Sequence, residues 1–199
     1  MEKRTASIDV RKMTYVAILT ALVVVLQFAG SFIRFGMFSI TLVLVPIIVG
    51  AAIAGPLAGA WLGFVFAITV FITGDAAAFL VVNPFGTIVT VIVKGTLAGL
   101  VSGIVYSLLA KKNEYLAVYS AAIICPIVNT GVFLVGCVLF FLETLAEWGQ
   151  GLGFESVGEY MILGLAGGNF LFELLFNIVL APVIVTLIRL APKLKRNKK

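Results

Sequence analysis

The chain has no histidine anywhere in its 199 residues. That removes the commonest metal ligand and the commonest general base, so zinc hydrolases and histidine-dependent triads are excluded. Aspartate is almost as scarce, with only Asp9 and Asp75. Candidate nucleophile and base pairs for an intramembrane enzyme are correspondingly few. There is no G-x-x-x-x-G-K-[ST] loop, so the chain by itself cannot grip a nucleotide in the usual way. The two cysteines, Cys125 and Cys137, fall in one expected helix. Twelve residues of helix separate them by roughly 18 Å, which no disulfide bridges, and they read as small buried apolar side chains.

What is present is apolar. Hydrophobic residues make up 62% and charged residues 12%, with a mean hydropathy of +1.19. That balance excludes a water-soluble domain of this size. The apolar runs are each near the ~20 residues needed to cross ~30 Å of hydrocarbon, and they recur to the C-terminus, so a cleaved signal peptide does not account for them. The expected fold class is all-α: an integral membrane six-helix bundle forming one domain over 1–199. Its spans lie near 13–30, 40–54, 56–73, 87–110, 116–142 and 161–190. The second and third are short and join at Gly55-Pro56, a helix stop followed by a proline restart. They are expected to tilt or to lie partly buried in protein.

Basic residues set the orientation. Lys3, Arg4, Arg11, Lys12, Lys111, Lys112, Arg189, Lys193, Lys195, Arg196, Lys198 and Lys199 fall on one side if the chain crosses six times. By the positive-inside rule that side is the cytoplasm, and both termini lie there. The basic tail from Lys193 could also meet anionic lipid. The opposite side receives three loops, Ser31 to Ser39, Gly74 to Gly86 and Glu143 to Tyr160. They carry Arg34 but otherwise Asp75, Glu143, Glu147, Glu155 and Glu159. The third loop is long, glycine-rich and acidic, and reads as a lid.

Lys94 and Glu173 are the charged side chains deep inside the apolar runs. An unpaired charge there costs roughly 2.5–3.5 kcal/mol on insertion scales, so both are expected to face a cavity or each other. Asn169, Glu173 and Asn177 recur every four residues on one face of span six. Thr87, Thr90 and Lys94 form a stripe on span four after Asn83-Pro84, and Asn129 and Thr130 follow Pro126 in span five. Counted from the outer ends, Lys94 and Asn169 lie ~12 Å deep and Glu173 and Asn129 ~18–20 Å deep. A pocket open to the outside is the simplest geometry. A buried Lys94–Glu173 ion pair with interhelical hydrogen bonds is the alternative. Gly95, Gly99 and Gly103 form a four-spaced row suited to close internal helix packing, and Ala17 and Ala21 form a small flat patch on span one.

Taken in order, the six spans, the Ala17-x-x-x-Ala21 pair, the run Gly50-Ala-Ala-Ile-Ala-Gly-Pro-Leu-Ala-Gly-Ala60 and the polar residues of the last three spans resemble an S component of an energy-coupling factor (ECF) transporter. The resemblance covers nearly the whole chain. It implies a subunit of the bacterial plasma membrane that binds a vitamin from outside. Such a subunit docks on one transmembrane coupling protein and two cytoplasmic ATPases, and is thought to topple to release its cargo inside. The chain would then need no cofactor of its own, ATP being used by its partners, and no nucleic acid is implied. The docking surface would be Ala17 and Ala21. The substrate site would comprise Asn83, Thr87, Thr90, Lys94, Asn129, Thr130, Asn169 and Glu173. Cobalt and nickel members carry an N-terminal histidine segment that is absent here, so no metal is expected.

Asn83-Pro-Phe-Gly-Thr87 and Pro126-Ile-Val-Asn-Thr-Gly131 are most similar to pantothenate-type members and also to riboflavin and folate carriers. Lys94, with Arg34, suits a carboxylate, and Asn and Thr suit hydroxyls and an amide. The aromatic residues are mostly Phe, and no stacking platform for a flavin or pterin stands out. A self-sufficient secondary transporter with Glu173 carrying a proton, and a ligand-free assembly subunit, are the remaining readings.

Overall fold

A computed structural model of the chain describes residues 10–32, 34–35, 38–39 and 41–190. The side chain of Arg34, the basic residues Lys3, Arg4, Lys193, Lys195, Arg196, Lys198 and Lys199, and the lipid contact expected of the tail lie outside the described residues.

The order is α1 (Val10–Ser31), a two-residue antiparallel pair β1 (Arg34–Phe35) and β2 (Phe38–Ser39), then α2 (Leu44–Ala54), α3 (Pro56–Thr73) and α4 (Ala77–Val82). There follow α5 (Pro84–Leu109), α6 (Glu114–Phe140), α7 (Leu142–Gly151), α8 (Val157–Glu159), a π-helical stretch Tyr160–Gly167 and α9 (Gly168–Leu190). Among the described residues, five helical segments are long and apolar enough to cross a membrane: α1, α3, α5, α6 and the continuous run Val157–Leu190. The chain is therefore a multi-pass, helical membrane protein.

Local chemistry explains the boundaries. Gly55, at φ +100°, ends α2, and Pro56 opens α3. Gly74 closes α3 in the left-handed conformation, which a side chain would strain, and turns the chain toward Asp75. Asn83 Oδ1 accepts from the Gly86 amide at 2.9 Å and Pro84 occupies the first helical position, so α5 begins before the expected residue 87. Asn113 caps α6 in the same way.

α2 is the short helix. Its 11 residues span about 16.5 Å, and nearly every side chain from Leu44 to Ala51 is buried. It packs against α1, α3, α5, α6 and α9, so the bundle encloses it instead of lipid. The closest packing joins α3 to α5, and glycines make it possible. A Cβ at Gly63 would fall on the Gly95 carbonyl, and one at Gly59 on the Gly99 carbonyl. The four-spaced row of α5 thus meets a matching pair on α3, backbone against backbone.

The expected outer loop from Glu143 to Tyr160 is corrected. Most of it is helix: in α7, Leu145 and Gly149 turn inward, while Glu143 and Glu147 stay exposed. Leu145 and Tyr160 are fully buried in an aromatic cluster with Phe79 and Phe141. The segment is amphipathic and is seated on that cluster.

Candidate functional site

α5 and α9 each pack on α2 and α6 rather than closely on each other. The gap between them is a cavity of about 760 Å³, counting the space out to its mouth.

Seven of the residues singled out in the sequence line it: Thr87, Thr90 and Lys94 from α5, Asn129 and Thr130 from α6, and Asn169 and Glu173 from α9. Asn83 does not. Its side-chain oxygen is engaged at the N-terminus of α5, away from the cavity lining. Asn177, one turn beyond Glu173, is buried but is not part of the lining either.

Glu173 is 1% exposed and is held by amides. Asn169 Nδ2 donates to it at 3.0 Å from the preceding turn of α9, and Asn129 Nδ2 donates at 3.4 Å from α6. The Thr41 hydroxyl lies alongside. Lys94 is different. Among the described residues it forms no ion pair, with Glu173 or any other carboxylate. Its ammonium instead sits over two rings, 5.8 Å from the centre of Phe66 and 5.2 Å from that of Phe133. Cation–π contact softens the cost of the charge but satisfies none of its three N–H donors. The alternative of a buried Lys94–Glu173 pair is therefore not what the helices build, because the cavity separates α5 from α9.

The lining also holds residues that sequence reasoning missed. Gln27 on α1 is 2% exposed, and its Nε2 donates to Asp75 Oδ2 at 2.7 Å. The Thr73 hydroxyl donates to the same oxygen at 3.1 Å. A lone amide in an otherwise apolar span was the available signal for Gln27. Asp75 lies outside the spans, yet the turn at Gly74 brings it into the lining. Phe66, Phe79, Phe133 and Phe141 line the cavity as well. Phe79 meets Phe133 and Phe141 edge-on, at 5.7 and 5.0 Å between ring centres.

Several buried polar atoms of the lining lack any partner: Gln27 Oε1, Thr90 Oγ1 and Asn129 Oδ1. Such atoms cost free energy unless something satisfies them. No group of three or more His, Cys, Asp or Glu positioned for a metal ion occurs among the described residues. Chemically the site can receive an anionic group at Lys94 and hydrogen-bonding groups at its amides and hydroxyls, between aromatic walls.

The sequence profile of the family described as ECF transporter, substrate-specific component, matches residues 11–196. Among solved structures the chain is similar to ThiT from Listeria monocytogenes, with a TM-score of 0.65 and 25% identity over 88% of this chain and 93% of that one. No curated protein matches the chain.

Proposed function

Because the chain belongs to the family of substrate-specific components of ECF transporters, we propose that it captures a small vitamin at the outer face of the bacterial plasma membrane, with pantothenate as cargo. Members of the family bind a small-molecule substrate and work with the other subunits of an ECF module; they are transport subunits, not enzymes.

One observation carries the cargo assignment: the Lys94 side chain lines the cavity and, among the described residues, forms no ion pair with a carboxylate. A ligand carboxylate would supply that partner, and a charge-assisted hydrogen bond in a dry site is among the stronger ones available. The hydroxyls and amide of pantothenate would then meet Thr87, Thr90, Asn129, Thr130 and Asn169, with Glu173 accepting from a hydroxyl and holding the two asparagines. Folate-type cargo remains a further alternative. Riboflavin is the second reading, and the four phenylalanines of the lining are what favour it.

In this reading α2 is the sixth crossing element and both termini are cytoplasmic, with Arg11, Lys12, Lys111 and Lys112 on that side. Ala17 and Ala21 are exposed on α1, and they are the proposed docking patch for the transmembrane coupling subunit, whose two ATPase partners use ATP. The chain needs no cofactor or metal for binding. The test is to purify the chain, identify the copurifying small molecule by mass spectrometry and titrate the emptied protein with pantothenate, riboflavin and folate. Pantothenate is the expected molecule. A yellow preparation containing flavin would replace it with riboflavin, and no vitamin in either measurement would overturn the reading.

A further inference from the structure

Gln27 and Asp75 are not used by the binding mode proposed above, although both line the cavity. Gln27 reaches from α1 to the turn after α3, where its Nε2 donates to Asp75 Oδ2 at 2.7 Å. The side chain is almost fully buried, and its Oε1 has no partner.

The same arrangement occurs on the other wall. Asn129 Nδ2 donates to Glu173, and Asn129 Oδ1 is left without a partner. The chemistry behind both is simple. An ionised carboxylate only accepts, so it draws the nitrogen end of a neighbouring carboxamide toward itself and turns the oxygen end away. Each carboxylate therefore fixes which end of its amide remains unsatisfied. In both cases that end is an acceptor.

We infer that Gln27, oriented by Asp75, is a ligand-binding residue that accepts an N–H or O–H hydrogen bond from the cargo. Asp75 acts as its positioning residue. The pair sets a specificity rule: the cargo presents hydroxyl or amide hydrogens to the Gln27 and Asn129 oxygens and a single anionic group to Lys94. A ligand made only of acceptors leaves these oxygens unpaired. Sites built to hydrogen-bond a ligand donor discriminate strongly for this reason. The inference rests on the cavity being the vitamin site.

The test uses the full chain, emptied of ligand, titrated calorimetrically with pantothenate. Gln27→Met keeps the length of the side chain and removes the acceptor. It also removes the donor to Asp75, so the empty protein is expected to stay folded with a somewhat lower thermal midpoint, while binding weakens about tenfold or more. Asp75→Asn lets the Gln27 amide turn over and is expected to weaken binding several-fold. The Gln27→Met/Asp75→Asn double variant is expected to bind no more weakly than Gln27→Met alone, since Asp75 acts through Gln27. Binding by folded Gln27→Met within twofold of the parent overturns the inference. So does a double variant whose loss is the product of the two single losses. If the parent binds riboflavin or another copurifying vitamin instead, the cargo assignment falls, and the same variants titrated with that vitamin still decide the role of Gln27. If the parent binds no vitamin, both fall.

Discussion

At Lys94 the Nζ sits beside Phe66 and Phe133 with no ion-pair partner among the described residues. Glu173, across the cavity, is surrounded by donors. The two residues should therefore respond oppositely to apolar replacement. Lys94→Met removes an unpaired charge, so the thermal midpoint of the empty protein is expected to hold or rise, while affinity for pantothenate falls by about 100-fold, the worth of a charge-assisted bond. Glu173→Leu strips the acceptor from two asparagine amides. It is expected to destabilise the empty protein by about 1–3 kcal/mol, seen as a lower midpoint in a thermal melt. Equal destabilisation by both would mean that Lys94 has a structural partner. Both residues were legible in the sequence because charge in an apolar run is conspicuous. Gln27 carries no charge, and Asp75 reaches the cavity only through the left-handed turn at Gly74. The lining phenylalanines were not legible, since in a membrane protein Phe faces lipid as readily as it faces a ligand.

Among the elements, α3 and α5 form the wall that carries Lys94, and their glycines let the backbones touch. Gly99→Ala would place a methyl group on the Gly59 carbonyl, which has no flexible end to move aside. A loss of about 1–3 kcal/mol is expected in a thermal or denaturant melt. Gly131, within α6, has open space where a Cβ would stand. Gly131→Ala is therefore expected to leave stability unchanged or raise it by about 0.5–1 kcal/mol. If Gly99→Ala proved as harmless as Gly131→Ala, the packing of α3 on α5 would be looser than described. The four-spaced glycine row was readable as a packing surface, but its partner was not, because spacing alone does not say which helix comes opposite. The segment after Glu143 was misread for a related reason. Its glycines and acids resemble a loop, whereas Leu145 and Gly149 recur at helical spacing and seat α7 on the aromatic cluster around Tyr160.

For the whole molecule, binding and transport are separable tasks. The cavity is lined within one chain, whereas α1 presents Ala17 and Ala21 outward, where a larger side chain meets no neighbour inside the bundle. The double variant Ala17→Leu/Ala21→Leu is expected to retain vitamin affinity and to lose uptake in vesicles that contain the coupling subunit, the ATPases and ATP. Uptake by the chain alone under a proton gradient would contradict the division of labour. The cavity between α5 and α9 is the proposed vitamin site, anchored by Lys94. Its most direct test is calorimetric titration of the emptied chain and of Lys94→Met, side by side, with pantothenate and riboflavin. Tight one-to-one binding of pantothenate is expected for the parent, with an affinity about 100-fold lower for a folded Lys94→Met. Equal binding of either vitamin by both proteins would contradict it.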